Sequence, residues 1–160
     1  MIRLSMRGLL LAAALVIVIA GTVLATAPIQ PVSSSFLSRG TVTERVHFNT
    51  GEVKFQNKAS IDHVVQTITF GPGASSGWHS HPGVLMVSVT SGTLKHYFAD
   101  CSFDTVLTGE AFIESGSHAT LVRNDTASPA VVHVSYVVPT GLTNAQLRED
   151  RANPGCAGIN

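Results

Sequence analysis

Residues 71–92 read Gly-Pro-Gly-Ala-Ser-Ser-Gly-Trp-His-Ser-His-Pro-Gly-Val-Leu-Met-Val-Ser-Val-Thr-Ser-Gly. His79 and His81 stand two apart, and in an extended strand residues i and i+2 point to the same face. Two imidazoles then converge, and imidazole is the commonest protein metal ligand. Pro82-Gly83 ends that extended piece and re-aims the chain. Val84–Thr90 follows as an apolar strand, stops at the hairpin signal Ser91-Gly92 and returns as Thr93–Phe98. If alternation runs through the Pro-Gly step, the two histidines share a face with Leu85, Val87 and Val89. The stretch reads as a metal-binding β unit or, competing with it, as two loop histidines without metal.

Working outward, short β-branched runs separated by turn residues continue on both sides. Val42–Phe48, Asp62–Phe70, Thr105–Leu107, Ala111–Ile113, Ala119–Arg123 and Ala130–Val138 complete the set. Many short strands at this spacing predict an all-β antiparallel sandwich or barrel. The one helical signal is late: Thr143-Asn144-Ala145-Gln146 has capping-box spacing, which predicts a short C-terminal helix outside the barrel. A third imidazole, His118, follows the turn Ser115-Gly116-Ser117 and opens a strand, sharing a face with Thr120. Three neutral histidines on such a scaffold can hold Zn²⁺, Fe²⁺, Mn²⁺ or Cu²⁺ with coordination positions left open. His63, His96 and His133 read as satisfied or surface histidines in strands, any one of which can supply a further ligand. Gly73-Ala74-Ser75-Ser76-Gly77 matches the Gly-x-Ser-x-Gly nucleophile pattern. That pattern needs a helix after the serine, and Trp78-His79-Ser80-His81-Pro82-Gly83 does not supply one. Asn124-Asp125-Thr126 has the form of an N-glycosylation sequon, or simply of a turn.

With these residues in place the chain resembles a small single-domain cupin, of the type-2 barrel kind. The family's first motif runs Gly, five residues, His-x-His, three or four residues, Glu, six residues, Gly. Gly73, His79, His81 and Gly92 match it, and Leu85 stands at the Glu place. The second motif begins with Gly and carries a His four residues before an Asn. Gly109 and Asn124 match its ends, Thr120 stands at the His place, and the Pro-x-Gly has become Ser115-Gly116-Ser117. The resemblance covers residues 60–138, and the segment from Trp78 to Gly83 looks like exported cupins. It implies a double-stranded β-helix, or jelly-roll, barrel. It also implies a divalent metal (Zn, Fe, Mn or Cu) on His79, His81 and a shifted His118. Leu85 cannot bind metal and the motifs assign no carboxylate, so a two-histidine, one-carboxylate iron site is not expected. Oxygenase, isomerase or decarboxylase chemistry on an unidentified small molecule fits the resemblance. So does a non-catalytic ligand- or metal-binding barrel, and a homodimer is compatible with it.

The ends of the chain speak of destination. Arg3 and Arg7 precede the uncharged run Gly8–Ala27, whose wholly apolar part, Leu9–Ala20, has the size of a signal-peptide core. Its twenty residues also suffice to cross a bilayer, so residues 1–27 read as a signal peptide or a membrane anchor. Either way the remainder is expected to be exported, touching a membrane only through residues 8–27 if these stay uncut. Residues 28–39, serine-rich and uncharged up to Arg39, read as a linker, residues 40–140 as the barrel and 141–160 as a C-terminal tail. Cys101 and Cys156 are the only cysteines, and an even count in an exported chain suggests one disulfide. Ten basic residues balance ten acidic ones, and without Arg3 and Arg7 the count is eight to ten. No nucleic-acid footprint, which needs a clustered Lys/Arg excess, is present.

Overall fold

The computed structural model describes residues 24–160. The expected targeting segment, except for its last four residues, lies outside them. Among the described residues no helix is long and apolar enough to cross a membrane.

Twelve strands run in chain order: β1 Val32–Val42, β2 His47–Asn49, β3 Lys54–Gln56, β4 Ile61–Phe70, β5 His79–Ser80, β6 Val84–Ser91, β7 Thr93–Phe98, β8 Phe103–Leu107, β9 Ala111–Ser115, β10 Thr120–Arg123, β11 Ala130–Pro139 and β12 Glu149–Asp150. One five-stranded sheet has the order β1-β4-β11-β6-β9 and the other β12-β5-β10-β7-β8. β2 and β3 form a separate hairpin, with Phe48 stacked on Phe55. The two larger sheets face each other as the double-sheet jelly roll that the sequence implies.

Strict alternation builds the core. In β6, Leu85, Val87 and Val89 are buried, and in β11 Ala130, Val132, Val134, Tyr136 and Val138 are buried. Their side chains meet Leu94, Val106 and Val122 from the opposite sheet. β5 belongs to the second sheet and β6 to the first, so Pro82-Gly83 is the crossing between them. Gly83 is required there, because a Cβ would stand 2.2 Å from the Val137 carbonyl oxygen. Asn124, fully buried, closes the turn after β10. Its amide donates to the carbonyls of Phe70, Gly71 and Ser128, and its oxygen accepts from Thr126. The sequon is therefore a turn, closed to a glycan. Ser75 is likewise buried, its hydroxyl accepting the Gly77 N–H, and a strand rather than a helix follows it.

Both expected appendages are parts of the barrel. Residues 32–39, read as linker, belong to β1, which pairs with β4 from Val32↔Phe70 to Val42↔Ile61. Serine-rich and exposed, this edge strand is specified by backbone hydrogen bonding, which composition does not display. Ahead of it, Ala25 bridges Ala152 and Ile29 bridges Ser75. The tail returns as β12, pairing Glu149↔Ser80 and Asp150↔His79. The expected helix is a single 3-10 turn, Asn144–Leu147, with the Gln146 side chain accepting from the Thr143 N–H. Val42–Phe48, expected as one strand, is divided between β1 and β2.

Cys101 and Cys156 form a disulfide with Cα atoms 5.4 Å apart, closing a separation of 55 residues. Cys156 packs with Trp78, Tyr97 and Leu121 in a second apolar cluster, and the Trp78 indole N–H donates to the Ile159 carbonyl. The bridge thus holds the tail over the outer face of the second sheet. In the chain-entropy account a loop of this length is worth about 4 kcal/mol. The double variant Cys101→Ser/Cys156→Ser should lose stability of about that size in denaturant unfolding, and an unchanged midpoint would show that the bridge does not hold the tail.

Candidate metal centre

β5 is two residues long, yet it sets the site. His79 and His81 leave its end with their rings 4.8 Å apart and edge-to-face. Each ring is held from behind by a main-chain carbonyl: His79 Nδ1 lies 2.9 Å from the Gly77 oxygen and His81 Nδ1 2.7 Å from the Leu147 oxygen. A carbonyl only accepts, so both Nδ1 atoms carry the hydrogen and both Nε2 atoms are turned toward the cavity.

Both Nε2 atoms face Glu114. This residue lies on β9 directly opposite Leu85 of β6, so a carboxylate reaches the cavity from one strand over. Glu114 Oε2 is 3.1 Å from His81 Nε2 and 3.7 Å from His79 Nε2. Its Oε1 accepts the Thr120 hydroxyl at 2.9 Å and lies 3.2 Å from His96 Nε2, an N–H too far off line to make a hydrogen bond. Thr120 can do this because it pairs with His79 across β10 and β5. His96, on β7, is wedged between Phe112, on which it stacks at 4.3 Å, and Phe98.

Burial is the largest influence on both ionisable groups, with opposite outcomes. It lowers the His79 pKa to about 4, Glu114 opposing and Arg148 and His81 adding to the fall. For Glu114 burial pushes upward, but the contacts from His81 and His96 and the nearby His79 outweigh it and hold the carboxyl well below its ordinary range. At neutral pH the site is therefore an ionised carboxylate beside a neutral imidazole. Tyr136 is pushed up by burial and stays protonated, donating to the Gln66 carbonyl oxygen at 2.6 Å.

The donor set fits a divalent ion. The ligand atoms of His79, His81 and Glu114 all lie within 4.8 Å of one another. Donors bound to one ion at about 2.0–2.1 Å stand roughly 3–3.5 Å apart, close to the two Glu114–histidine distances. Both Nε2 atoms face the same carboxylate oxygen, where either a ring proton, as in the 3.1 Å hydrogen bond between His81 Nε2 and Glu114 Oε2, or a metal ion can stand between them. The absence of a motif carboxylate is thereby corrected: the centre is two histidines and one glutamate, a set suited to Fe²⁺ as well as Zn²⁺.

His118 is not brought to this centre. It is exposed, in the irregular segment before β10 begins at Thr120, so strand parity does not extend back to it. What the Ser115-Gly116-Ser117 turn contributes is backbone: the Gly116 oxygen accepts from His81 N–H and Gly116 N–H donates to the Gly83 oxygen. Glu114 and His96 are the residues that motif reading passes over. Their signal was an acid in phase with Phe112 along β9, and a histidine in phase with Leu94 and Phe98 along β7.

Beyond the centre lies a cavity of about 260 Å³ between the sheets. Leu85, Val87, Phe112, Val132 and Val134 make it largely apolar, Pro28 and Phe36 close one side, and Leu147 and Arg148 another.

No protein-family model matches the chain, and no curated protein sequence does. Similar solved structures are cupin barrels. A cupin-2 domain of an XRE-family transcriptional regulator from Enterobacter cloacae is 24% identical, with a TM-score of 0.41 over 48% of this chain and 80% of that one. A cupin superfamily protein from Desulfitobacterium hafniense is 10% identical, with a TM-score of 0.48 over 68% and 78% of the two chains. An oxalate oxidase is 20% identical, with a TM-score of 0.42, and this chain spans 46% of its length.

The ionisation pattern has a measurable consequence for stability. An unfolded histidine takes up its proton near pH 6.5, whereas folded His79 does so only near 4. Between these values the unfolded state binds more protons, so stability falls as pH falls. Glu114, depressed in the fold, adds loss in the same direction at lower pH. For His79 the loss amounts to about 3 kcal/mol. Denaturant unfolding of metal-free protein should show this decline between pH 6.5 and 4, flattened in His79→Gln. A pH-independent midpoint across that window would contradict a neutral, buried His79.

Proposed function

We propose that the barrel binds one divalent transition metal through His79, His81 and Glu114 and acts, with that metal, on a small organic molecule held in the adjoining cavity. The observation that carries this is the convergence of two carbonyl-oriented Nε2 atoms on one buried carboxylate. A purely structural metal site is closed by four protein ligands, whereas three leave positions for substrate or solvent. Here the three stand at the wall of a cavity. A bound metal supplies Lewis-acid polarisation of a substrate oxygen or activation of water or dioxygen, which fits oxygenase, isomerase or decarboxylase chemistry. The chain's own residues do the positioning. Gly77 and Leu147 orient the imidazoles, and Thr120 engages Glu114 Oε1 so that Oε2 faces the histidines. Tyr136, held protonated by burial and donating its hydroxyl to Gln66 Oε1, is not available as a base.

A non-catalytic metal- or ligand-binding barrel is the second reading. It is favoured by how few groups lining the cavity, among the described residues, are left to act as a base, since Tyr136 is committed to Gln66 and Glu114 is engaged by Thr120 and His81. For either reading we infer a site of action outside the cytoplasm, supported by the Cys101–Cys156 disulfide and by the uncharged run behind Arg3 and Arg7.

Equilibrium dialysis against Zn²⁺ tests the metal. Wild type should take up one ion per chain. His81→Ala and the isosteric Glu114→Gln should each weaken uptake by at least about 100-fold, the upper end of what loss of an outer-shell partner costs. His96→Phe should weaken it by about tenfold, and His118→Ala should leave it unchanged. A wild-type domain that takes up no zinc would sink the proposal.

A further inference from the structure

Arg148 is the single Lys or Arg lining the cavity among the described residues. Its backbone is held at the metal centre from both sides. On one, the Leu147 oxygen accepts the His81 ring N–H, and on the other Glu149 pairs with Ser80 in β12. The guanidinium is tied at one edge only. Asp150 Oδ1 accepts from Nε at 2.7 Å and lies 2.6 Å from one terminal nitrogen. That nitrogen is buried and, beyond this ion pair, its N–H bonds find no acceptor. Asp150 is half exposed, at 49%, against 29% for Arg148, so the aspartate holds the solvent side of the pair.

A buried N–H without a partner is costly, and a guanidinium presents paired donors that match a carboxylate bidentately. The rest of the cavity is largely apolar, with Gln66, Tyr136 and a few serines among its walls, and small, below the roughly 300–1,000 Å³ of drug-sized sites. We propose that the ligand of this cavity is a small monocarboxylate with an apolar body. Its carboxylate bonds to the Arg148 guanidinium on the side facing the metal centre, and its chain lies against Leu85, Val87 and Val132. This rests on the metal reading for one point: the ion offsets the negative charge of Glu114, which otherwise repels an anion.

Hexanoate and its neutral isostere hexanamide are the probes, titrated calorimetrically into zinc-loaded and metal-free protein. Zinc-loaded wild type should bind hexanoate, with hexanamide weaker by about 10- to 100-fold, the worth of charge-assisted hydrogen bonds. Arg148→Gln should lose hexanoate by the same factor while still taking up zinc. Arg148→Lys, which keeps the charge but not the fork, should recover only part. Asp150→Asn should move the other way, tightening hexanoate by about two- to fivefold, because the competing carboxylate of an exposed pair is gone. Equal binding of the amide, or an Arg148→Gln protein that binds hexanoate like wild type, overturns the ligand class and leaves the metal reading intact. A wild type that takes up no zinc yet binds hexanoate through Arg148 overturns the metal reading alone. One that takes up no zinc and ignores hexanoate overturns both.

Discussion

A carboxylate sealed inside a β barrel must be compensated by the groups around it, because burying one unpaired charge costs several kcal/mol. Glu114 is such a carboxylate, and much of the barrel's architecture answers to it. Four residues from three strands and one connection surround its two oxygens: Thr120 and His96 at Oε1, His79 and His81 at Oε2. The division is unequal in kind. Oε1 faces groups that only hold it in place, while Oε2 faces two ring nitrogens whose other sides are already tied to carbonyls. That half of the site can take a cation, whether a proton on a ring nitrogen or a metal ion.

Residues 24–31 and the C-terminal tail complete the barrel rather than trail from it. The Thr26 hydroxyl accepts the Trp78 N–H, and the Arg151 N–H donates to the Trp78 oxygen, so both flanks grip the residue immediately before His79. A Cβ on Gly77 would meet the Thr26 carbonyl at 2.6 Å, which shows how closely the N-terminal segment lies on this turn. The disulfide fastens the C-terminal flank from outside. Because Leu147 supplies the carbonyl behind His81, the 3-10 turn, β12 and the bridge bear directly on the orientation of a ligand. Stability of the tail and geometry of the centre are one problem in this protein.

The cavity inherits its character from the same elements. Alternation in β6 and β11 lines it with branched apolar side chains, and the 3-10 turn Asn144–Leu147 delivers Arg148, the single cation lining it among the described residues, to its rim. Charge is therefore confined to one end, where the carboxylate, the imidazoles and the guanidinium meet, and the rest is largely apolar apart from the Tyr136–Gln66 pair and a few short polar side chains. A low-dielectric wall strengthens each polar contact at that end. A few groups can then select both a metal and a ligand without a wider polar network.

Read alone, residues 71–92 determine a great deal: a β scaffold, the crossing at Pro82-Gly83, the convergence of His79 and His81, and the buried face of β6. These are local properties, set by the two-residue period of a strand and by what glycine and proline permit. The even cysteine count likewise foretold the bridge, since only one pairing exists. Tertiary structure alone decided the third ligand. The parity that favoured His118 fails because Gly116–Ala119 is not strand, whereas Glu114 enters through its pairing with Leu85 across β6 and β9. Registers between strands depend on the whole sheet and leave no mark in a single run of residues. β1 and β12 were illegible for a related reason, since edge strands are bound by backbone hydrogen bonds that any side chain can accompany. So was Arg148, whose place at the cavity follows from a pairing with β5 some seventy residues back in the chain.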